Sequence, residues 1–383
     1  MRTVLITGAK GFIGRNLVSA LLARPSDYTL LPIDIDSPAN DLAAALSSAD
    51  FIFHLAGVNR PENEREFQTG NADFTAWICD RLLKLKRAVP LIMSSSAQAA
   101  LDNPYGVSKR KAEDAVLAYA ERSGAHAIIY RLKNVFGKWC RPNYNSVVAT
   151  FCHNIAHDLP VTISDPRREL ELIYIDDVVQ DFLRQVESGL SSGVAYREVE
   201  PVYKVTLGGL AELIQSFRQM RRSLYLPDFS GEFARKLYGT FLTYLDTADF
   251  AYDLEQKRDA RGCLVEFVKS YPFGQIFISR TYPGITRGNH YHHTKAEKFL
   301  VVEGQAIIRF RPVQGGPIVE YRVNGRDLRV VDIPPGYTHS IENVGAGELV
   351  TLFWSPEVFN PARIDTHAMP VITENDSRKI QLD

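Results

Sequence analysis

A glycine-rich turn joins the first apolar run of the chain to its first helical pattern. Arg2–Thr7 is strand-like, Phe12–Ala23 is amphipathic, and Gly8, Gly11 and Gly14 are spaced across the junction. Glycines at this spacing allow a tight turn, the close approach of a pyrophosphate and close helix–strand packing. The turn therefore predicts a dinucleotide site at a helix N-terminus rather than a simple loop. The residues expected to contact the dinucleotide here are Gly8, Lys10, Gly11, Phe12, Ile13 and Gly14.

Short apolar runs alternate with helix-sized segments through the first half of the chain. Segments such as Phe12–Ala23 and Pro104–Arg122 have helical spacing and are closed by Pro25 and Gly124. Apolar runs separated by helices are typical of parallel sheets that are covered on both faces. The sequence thus predicts an α/β, Rossmann-type, doubly wound parallel sheet. Its expected strands include Val4–Ile6, Leu30–Ile33, Phe51–Phe53, Leu91–Met93 and Ala127–Ile129.

The pattern changes from about Gly262 onward. Short β-rich runs separated by Gly/Pro turns take over, without helical segments between them. Several such runs in succession predict a small all-β barrel or sandwich. Charged residues cluster at 245–260, so we predict domains at residues 1–250 and 251–372, followed by a polar tail at 373–383.

Composition narrows the classes of partner. Lys+Arg at 44 against Asp+Glu at 45 leave a net charge of −1, which argues against nucleic-acid or membrane-surface partners. No apolar run approaches the ~18 residues of a membrane span, and no signal segment precedes the first strand. The cysteines are widely spaced without a CxxC pair. They indicate reduced thiols, and we expect a cytoplasmic protein.

A second chemical signal is Tyr105 followed four residues later by Lys109. On a helix this spacing places both side chains on one face, where the ammonium would lower the pKa of the phenol from its usual value near 10. Such a tyrosine can give a proton to a carbonyl oxygen as hydride reaches the carbon. Ser94–Ser96 ends a predicted strand and could place a hydroxyl against the same oxygen. A surface tyrosine, a surface lysine and a polar turn are the plainer interpretation, which the order of the motifs disfavours.

Histidines and a glutamate recur at fixed spacings in the β-rich half. His290 and His292 alternate along a predicted strand and point to one face, while Glu297 and His339 belong to neighbouring runs. Together they predict a metal site of three nitrogens and one oxygen, which suits Zn²⁺, Fe²⁺, Mn²⁺ or Ni²⁺. Histidines in a metal-free barrel core are the alternative, but the full ligand set at this spacing favours a metal. His293 should face outward by alternation.

The motifs of the first half resemble those of extended short-chain dehydrogenases/reductases that act on nucleotide sugars. The matching stretches are Thr7–Gly14, His54–Gly57, Ser94–Ala97 and Tyr105–Lys109. The resemblance implies that Ser96 is the catalytic hydroxyl, Tyr105 the acid/base and Lys109 the residue that tunes it. The further cofactor contacts that it implies are Leu55, Ala56, Gly57, Tyr105 and Lys109.

Ala97 and Gln98 follow the serine that the resemblance singles out. Sugar 4,6-dehydratases of this class carry an Asp-Glu pair there, which moves the protons of an elimination. The sequence therefore favours reduction or 4-epimerisation over dehydration.

Two neighbouring features favour different nicotinamide cofactors. Asp34 and Asp36 follow the second strand, where a carboxylate binds the ribose 2′-hydroxyl of NAD(H). Lys10, inside the glycine-rich turn, could instead attract the 2′-phosphate of NADP(H). The residues themselves leave both cofactors open, and Asp34 is the expected carboxylate contact.

The β-rich half is similar to the cupin family. Gly284–Gly304 matches the first motif of that family, and Pro334–Asn343 matches the second. A reductase joined to a cupin resembles the bifunctional capsular-polysaccharide and O-antigen enzymes of UDP-N-acetyl-L-fucosamine biosynthesis. That resemblance spans essentially the whole chain and includes Phe136–Cys140, Pro142–Ser146 and Gly288–His290.

The resemblance implies two reactions in a fixed order. In that family the cupin epimerises C3 of a UDP-2-acetamido-2,6-dideoxy-4-keto-hexose, and the reductase then reduces C4 with NADPH to UDP-2-acetamido-2,6-dideoxy-L-talose. Epimerisation comes first because a hydrogen at C3 is acidic only while C4 is a ketone. We expect NADP(H) with NAD(H) as the alternative cofactor, Zn²⁺ or another divalent metal, and a homodimer.

Two other functions stay open at this point. The chain could be a single-activity nucleotide-sugar reductase or 4-epimerase whose cupin binds sugar or forms a dimer. It could also be a non-catalytic nucleotide sensor that kept the fold. The presence of Ser96, Tyr105 and Lys109 counts against the sensor.

Overall fold

The computed structural model describes residues 1–187, 193–259, 262–265, 268, 274–357 and 362–373. From residue 374 onward the predicted polar tail lies outside these residues. The chain divides into two compact units. The first unit comprises Met1–Val147 and Glu169–Val205, and the second comprises Val148–Arg168 and Thr206–Asp383. The assignment of two functional domains to residues 1–250 and 251–372 stays a prediction.

The helices and strands follow one another in the order of their labels. The helices are α1 (Phe12–Leu22), α2 (Ala39–Ser48), α3 (Arg65–Phe67), α4 (Phe74–Lys84), α5 (Pro104–Ser123), α6 (Val147–Ala156), α7 (Ile175–Glu187), α8 (Leu207–Ser223) and α9 (Glu232–Leu242). The strands before residue 210 are β1 (Arg2–Thr7), β2 (Tyr28–Ile33), β3 (Phe51–His54), β4 (Leu91–Ser96), β5 (Ala127–Leu132), β6 (Asn134–Phe136), β7 (Glu169–Tyr174), β8 (Val194–Arg197) and β9 (Tyr203–Thr206). Those after it are β10 (Ala251–Asp253), β11 (Gln256–Asp259), β12 (Gly262–Val265), β13 (Gln275–Thr281), β14 (Thr286–Tyr291), β15 (Glu297–Glu303), β16 (Gln305–Pro312), β17 (Val319–Asn324), β18 (Arg329–Ile333), β19 (Tyr337–Asn343), β20 (Leu349–Ser355) and β21 (His367–Ala368). Among the described helices, none is long and apolar enough to cross a membrane.

A parallel sheet in the order β2-β1-β3-β4-β5-β8 forms the centre of the first unit. Apolar side chains of α2, α4 and α5 bury one face of it. On the other face, Phe182 of α7 packs against Phe53 and Tyr130. All strand pairs are parallel, so their carboxyl ends meet at one edge. A ligand of such a sheet binds at that edge, where β1 ends at Thr7 and β4 ends at Ser96.

Two antiparallel sheets form the β-rich part of the second unit. Their orders are β10-β18-β15-β20-β13 and β17-β16-β19-β14-β21, and β11 pairs separately with β12. The sequence also predicts a short strand at 264–269, of which residues 266, 267 and 269 lie outside the described residues. The predicted fold class, a Rossmann-type sheet followed by a cupin-like β domain, is confirmed.

Helices α8 and α9 pack against these sheets although they precede residue 250 in the sequence. Arg221 of α8 donates to the fully buried carboxylate of Asp332 in β18 (2.8 Å). The same carboxylate accepts a hydrogen bond from Lys298 in β15 (2.6 Å). On α9, a Cβ at Gly239 would lie 3.1 Å from the carbonyl oxygen of Thr294. The second unit is therefore a β domain with its own helical support.

Candidate active site and candidate metal centre

The glycine-rich turn lies against the segment that follows β3. Gly8 has a positive φ of 69°, and a Cβ there would lie 2.7 Å from the backbone nitrogen of Ala56. A Cβ at Gly14 would lie 2.0 Å from the carbonyl oxygen of Gly8. Any larger residue would force the turn and the strand segment apart. The turn leads into α1 at Phe12, and no side chain caps that helix at Gly11. The first N–H groups of α1 are thus left to a ligand, which fits the predicted pyrophosphate.

The predicted cofactor contacts lie together along this edge. Lys10 and Gly11 lie in the turn, and Phe12, Ile13 and Gly14 begin α1. The others follow the neighbouring strands β2 and β3 and are Asp34, Leu55, Ala56 and Gly57.

Lys10 and Asp34, which favour different cofactors, are in contact because the backbone of Lys10 in the glycine-rich turn meets the side chain of Asp34. The backbone N–H of Lys10 donates to the carboxylate of Asp34 (2.6 Å), which also accepts from the backbone N–H of Ile35 (2.8 Å). The ammonium of Lys10 forms an exposed ion pair with Asp36. Asp36 raises the pKa of Lys10, mainly through this hydrogen bond. The carboxylate of Asp34 is therefore partly used by the backbone, whereas the side chain of Lys10 is held at the surface.

The structure brings Ser96, Tyr105 and Lys109 together, as the motifs predicted. Asn103 caps α5 by accepting from the N–H of Gly106 (2.8 Å), which fixes the helix start just before Tyr105. The side chains of Ser96 and Tyr105 hydrogen-bond to each other. Lys109 is buried on the same helix and donates to the carbonyl oxygen of Ser94 (2.8 Å).

The pKa of Tyr105 differs from the sequence prediction. Burial raises it, and the hydrogen bond with Ser96 opposes the rise. The predicted lowering by Lys109 was wrong, because desolvation of the phenolate outweighs other effects in this half-buried site. Burial also lowers the pKa of Lys109 from 10.5 to about 8, against the negative charge of Glu113. Tyr105 is consequently protonated at neutral pH, as a proton donor to a ketone must be.

A buried carboxylate links the helix of Tyr105 and Lys109 to the strand of Ser96. Glu113 of α5 is 1% exposed and accepts from the hydroxyl of Ser95. It also pairs with Arg131 of β5 (2.7 Å). Ser95 and Arg131 are neighbours across β4 and β5, so the carboxylate of Glu113 holds both strands to the helix. Sequence reasoning missed Glu113, although its position four residues after Lys109 was a signal.

A second polar chain supports the site from the side of β3. His54 contacts the hydroxyls of Thr7 and Thr75 through its two ring nitrogens (2.8 Å each). Burial, followed by the charge of Lys109, lowers its pKa to about 3. Asn71 lies in a π-helical turn at Gln68–Asp73 and donates to Ser108 of α5 (3.0 Å). These neutral groups fix the backbone around the glycine-rich turn without adding charge.

The predicted metal ligands converge in the second unit. His290, His292, Glu297 and His339 offer donor atoms that all lie within 4.8 Å of one another. They come from both sheets, because Glu297 begins β15 while His290 pairs with His339 across β14 and β19. His292 Nε2 lies 3.3 Å from Glu297 Oε2.

The protonation of this group suits a metal. Burial lowers the pKa of His290, and it lowers that of His339 to about 3. Burial alone would raise the pKa of Glu297, but the hydrogen bond and charge of His292 hold it well below its usual range. Neutral imidazoles, as the lowered pKa values of His290 and His339 favour, and an ionised carboxylate are the states in which such side chains bind a divalent ion. The Nε2 atom of His339 is buried without a hydrogen-bond partner, as expected of a ligand atom.

His293, which was expected to face outward, is half-buried, and its Nδ1 atom is buried. His293 is not a member of the ligand group, and its ring contacts that of His367 at 4.8 Å between centroids. Tyr337 packs edge-on against Phe250 at 5.2 Å. Burial raises the pKa of Tyr337.

Comparison with known proteins assigns the chain to a family. Residues 4–196 match the family described as NAD dependent epimerase/dehydratase, and residues 257–367 match the polysaccharide biosynthesis C-terminal domain. The first match covers half of the chain. The chain belongs to the NAD dependent epimerase/dehydratase family. Membership indicates a nicotinamide cofactor, consistent with the glycine-rich turn at the end of β1.

Individual relatives extend over both units. A Pseudomonas aeruginosa protein named UDP-2-acetamido-2,6-beta-L-arabino-hexul-4-ose reductase is 45% identical over 96% of this chain and 98% of its own. The solved structure of the capsular polysaccharide assembling protein CapF from Staphylococcus aureus is 45% identical with a TM-score of 0.66, covering 96% of this chain and all of that one. A UDP-N-acetylglucosamine 4-epimerase from Methanobrevibacter ruminantium is 20% identical with a TM-score of 0.53 over 63% of this chain and 98% of its own, and it shares the fold alone. The resemblance to capsular UDP-sugar enzymes is thereby confirmed.

Proposed function

We propose that the chain is a bifunctional nucleotide-sugar enzyme of capsule or O-antigen synthesis on the route to UDP-L-FucNAc. The second unit epimerises C3 of UDP-2-acetamido-2,6-dideoxy-4-keto-hexose. The first unit then reduces C4 with NADPH to UDP-2-acetamido-2,6-dideoxy-L-talose. The observation that carries the proposal is the presence of two chemically different sites in two separate units. Identity of 45% with a UDP-keto-sugar reductase over 96% of the chain supports the substrate class.

The order of the reactions follows from the acidity of the sugar. A proton at C3 can be removed only while C4 is a ketone, because the ketone oxygen takes up the negative charge. His290, His292, Glu297 and His339 would hold the metal. When bound, a divalent metal supplies positive charge near that oxygen. Because the ligands bring the charge of one carboxylate, this donor set leaves the charge of the ion only half neutralised.

Reduction at C4 needs a proton as well as a hydride. The nicotinamide supplies the hydride when it is bound. Tyr105, protonated at neutral pH because burial raises its pKa, gives its proton to the C4 oxygen. Ser96 hydrogen-bonds with Tyr105 and orients its hydroxyl. Lys109, with its ammonium held by the carbonyl oxygen of Ser94, supplies the positive charge that favours the phenolate left behind.

We assign NADP(H) to the first unit, with NAD(H) as the alternative. The carboxylate of Asp34 accepts from two backbone N–H groups, so it is less available to ribose hydroxyls. Lys10 is exposed and reaches Asp36 at the surface beside the turn. An exposed ion pair of this kind is weak, and a 2′-phosphate could compete for the ammonium.

We assign Zn²⁺ to the second unit, with another divalent metal as the alternative. Nitrogen-rich sets with one carboxylate suit zinc, and four protein ligands can complete a tetrahedral site. The metal would serve the epimerisation or the order of the barrel, and the exchange experiment below separates these roles.

We further propose a cytoplasmic homodimer. Strand β13 lies at the end of its sheet and carries exposed Ile276 and Ile278, which suits pairing with a second copy. Cys79, Cys140 and Cys152 are buried and form no disulfide among the described residues, which fits a reducing compartment. The expected partner is the UDP-sugar, and neither a nucleic acid nor a membrane is proposed as one.

A single-activity reductase is the second candidate. The name of the Pseudomonas aeruginosa relative mentions reduction alone. In that case the β domain would bind sugar or join two copies, and the His/Glu group would order the barrel. The 4-epimerase and the non-catalytic sensor have no such specific support.

Proton NMR in D₂O separates these functions. The zinc-loaded chain is incubated with the 4-keto sugar while nicotinamide is left out. Deuterium at C3 supports epimerisation independent of reduction, and a His339→Ala variant should show none. Absence of exchange in the folded, zinc-loaded chain would leave a C4 reductase. Absence of both exchange and NADPH-dependent reduction would favour the sensor.

A further inference from the structure

The turn between two of the candidate metal ligands is tied to a segment far away in the sequence. His292 and Glu297 are joined by the four residues His293–Ala296. Residues 362–373 run beside this turn and include β21, which pairs with the ligand-bearing strand β14. Register places Ala368 opposite His290. The C-terminal segment is thus the neighbour of β14 on the side away from β19.

Asp365 fixes the ring of His292 through its backbone. His292 Nδ1 hydrogen-bonds to the carbonyl oxygen of Asp365. A carbonyl oxygen can only accept, so Nδ1 donates in this bond and Nε2 is the ring nitrogen left to face the ligand group. Nε2 is the atom that faces Glu297. Outer hydrogen bonds of this kind set the tautomer and ring orientation of a metal-binding histidine.

The side chain of Asp365 fixes the turn itself. Its carboxylate accepts from the backbone N–H groups of His293 (2.8 Å), Thr294 (2.8 Å) and Lys295 (3.0 Å). It also accepts from the hydroxyl of Thr294 (2.7 Å). The ring Nε2 of His367 also lies 3.3 Å from this carboxylate. The carboxylate therefore gathers three consecutive backbone donors.

The fixed turn then orients Glu297. The ammonium of Lys295 pairs with Glu297 Oε1 (2.9 Å), whereas Oε2 faces His292 (3.3 Å) and His339 (3.7 Å). Oε1 of Glu297 is thus held by Lys295, and Oε2 is turned toward the imidazoles. Since Lys295 is placed by its N–H bond to Asp365, the carboxylate of Asp365 acts on Glu297 through Lys295.

The same segment supports the bulge beside His290. The pairing of β14 with β19 shifts register between Gly288 and His290, and Asn289 there has a positive φ of 53°. The carbonyl oxygen of Asn289 accepts from the N–H of Met369 (2.8 Å), and its side-chain oxygen accepts from the N–H of Val371 (3.2 Å). A bulge redirects the side chains next to it, so these bonds also help to set His290.

From these contacts we infer that residues 362–373 form a clasp that preorganises the metal centre, with Asp365 as its positioning residue for His292 and Glu297. This inference rests on the metal centre proposed above. Asp365 contacts no ligand atom of the metal directly and acts through the backbone turn and through Lys295. The clasp would set how tightly the chain holds its metal.

Zinc affinity of the full-length chain tests the clasp. Zn²⁺ binding is measured by competition with a chromogenic chelator for the wild type, Asp365→Ala and Asp365→Asn. We expect Asp365→Ala to weaken Zn²⁺ binding by about 10–100-fold, the range of outer-shell changes at metal sites. Asp365→Asn preserves volume, but either orientation of its amide turns N–H groups toward N–H donors, so it should also weaken binding. Asp253→Ala, which removes an exposed carboxylate of the same unit, should bind Zn²⁺ like the wild type.

Thermal unfolding of the zinc-loaded and metal-free forms separates a positioning role from a merely structural one. A weaker site gains less stability from the metal, so the clasp predicts a smaller Tm difference between the two forms of Asp365→Asn. Equal lowering of both Tm values with unchanged zinc affinity would overturn the inference. If Asp365→Ala does not fold, Thr294→Val removes only the hydroxyl donor to Asp365 and should weaken binding to a smaller degree. A wild-type chain without zinc affinity would refute the metal centre itself, whereas wild-type affinity in the Asp365 variants refutes only the clasp.

Discussion

Lys109 in the first unit and His339 in the second are both fully buried, and burial lowers the pKa of each. The lowered pKa has opposite consequences at the two sites. The site around Tyr105 needs Lys109 as a cation, so burial works against it and Glu113 opposes the loss of charge. The metal centre needs His339 as a neutral ligand, and burial, the largest cause of its lowered pKa, favours that state. A site that must keep a buried side chain charged therefore needs a buried partner of opposite charge. A site whose side chains bind a cation needs those side chains buried and correctly oriented.

The supports of the two sites differ for the same reason. Behind Lys109 lies a network of Glu113, Arg131 and Ser95 that connects one helix to two strands. Behind His292 lies a backbone carbonyl, and the nearest carboxylate of that segment binds backbone N–H groups. The first support sets charge as well as position. The second sets position.

Removing the phenolic hydroxyl of Tyr105 should separate the activities of the two units most clearly. Tyr105→Phe is expected to lower C4 reduction by about 10²–10⁴-fold, because the proton for the C4 oxygen is lost. C3 exchange in D₂O should stay at the wild-type rate, since the metal ligands lie in the other unit. Both rates are measured on the same preparation. Tyr225→Phe, at an exposed tyrosine, serves as the control, and loss of both reactions in Tyr105→Phe would contradict independence of the units.

Removing one candidate metal ligand should stop C3 exchange and leave C4 reduction in place. His339→Ala is expected to weaken Zn²⁺ binding by more than the about 10–100-fold range of outer-shell changes and to stop C3 exchange. Reduction of ketone that has already been epimerised should persist. Metal content by mass spectrometry and NADPH consumption measure the two effects. His153→Ala, in the same unit but outside the ligand group, is the matched variant, and C3 exchange that survives without bound metal would make the metal structural.

Local geometry explains what could be predicted from the sequence. The glycine-rich turn and the four-residue step from Tyr105 to Lys109 depend on neighbouring residues of one turn or one helix. The alternation of His290 and His292 is equally local, and it survives the bulge at Asn289 because the two histidines remain two residues apart. Their convergence with Glu297 and His339 required only that the β-rich half close into facing sheets.

Long-range register explains what could not be predicted. Glu113 is useful because Ser95 and Arg131 are partners across β4 and β5, and no local pattern reveals that pairing. Asp365 lies 73 residues after His292, in a stretch without a recognisable motif. The raised pKa of Tyr105 depends on how deeply the site is buried, which the spacing to Lys109 does not tell. Arg221 and Asp332, which bind α8 to the barrel, are separated by 111 positions.

The charge that Glu113 supplies can be tested through the pH dependence of reduction. The pKa of Lys109 is about 8, so reduction should fall as pH rises through that value and the ammonium is lost. Glu113 raises this pKa, so Glu113→Gln should move the alkaline fall to lower pH. The kcat profile for reduction measures the shift, and C3 exchange should keep its own profile. Glu121→Gln, at an exposed position of the same helix, should leave the fall in place, and an unshifted profile in Glu113→Gln would reduce Glu113 to a purely mechanical link.

The smallest effect is expected at the exposed ion pair beside the glycine-rich turn. Lys10→Ala should raise the KM for NADPH more than that for NADH, because only NADPH carries the 2′-phosphate that the ammonium can meet. Asp36→Ala should do the opposite, since it frees the ammonium of Lys10 from its present partner. Both changes should be modest and should shrink at high salt, because exposed charges are screened. Steady-state KM values for the two cofactors at low and high salt measure this. A preference for NADH that Lys10→Ala leaves unchanged would instead favour Asp34 as a contact of the ribose hydroxyls.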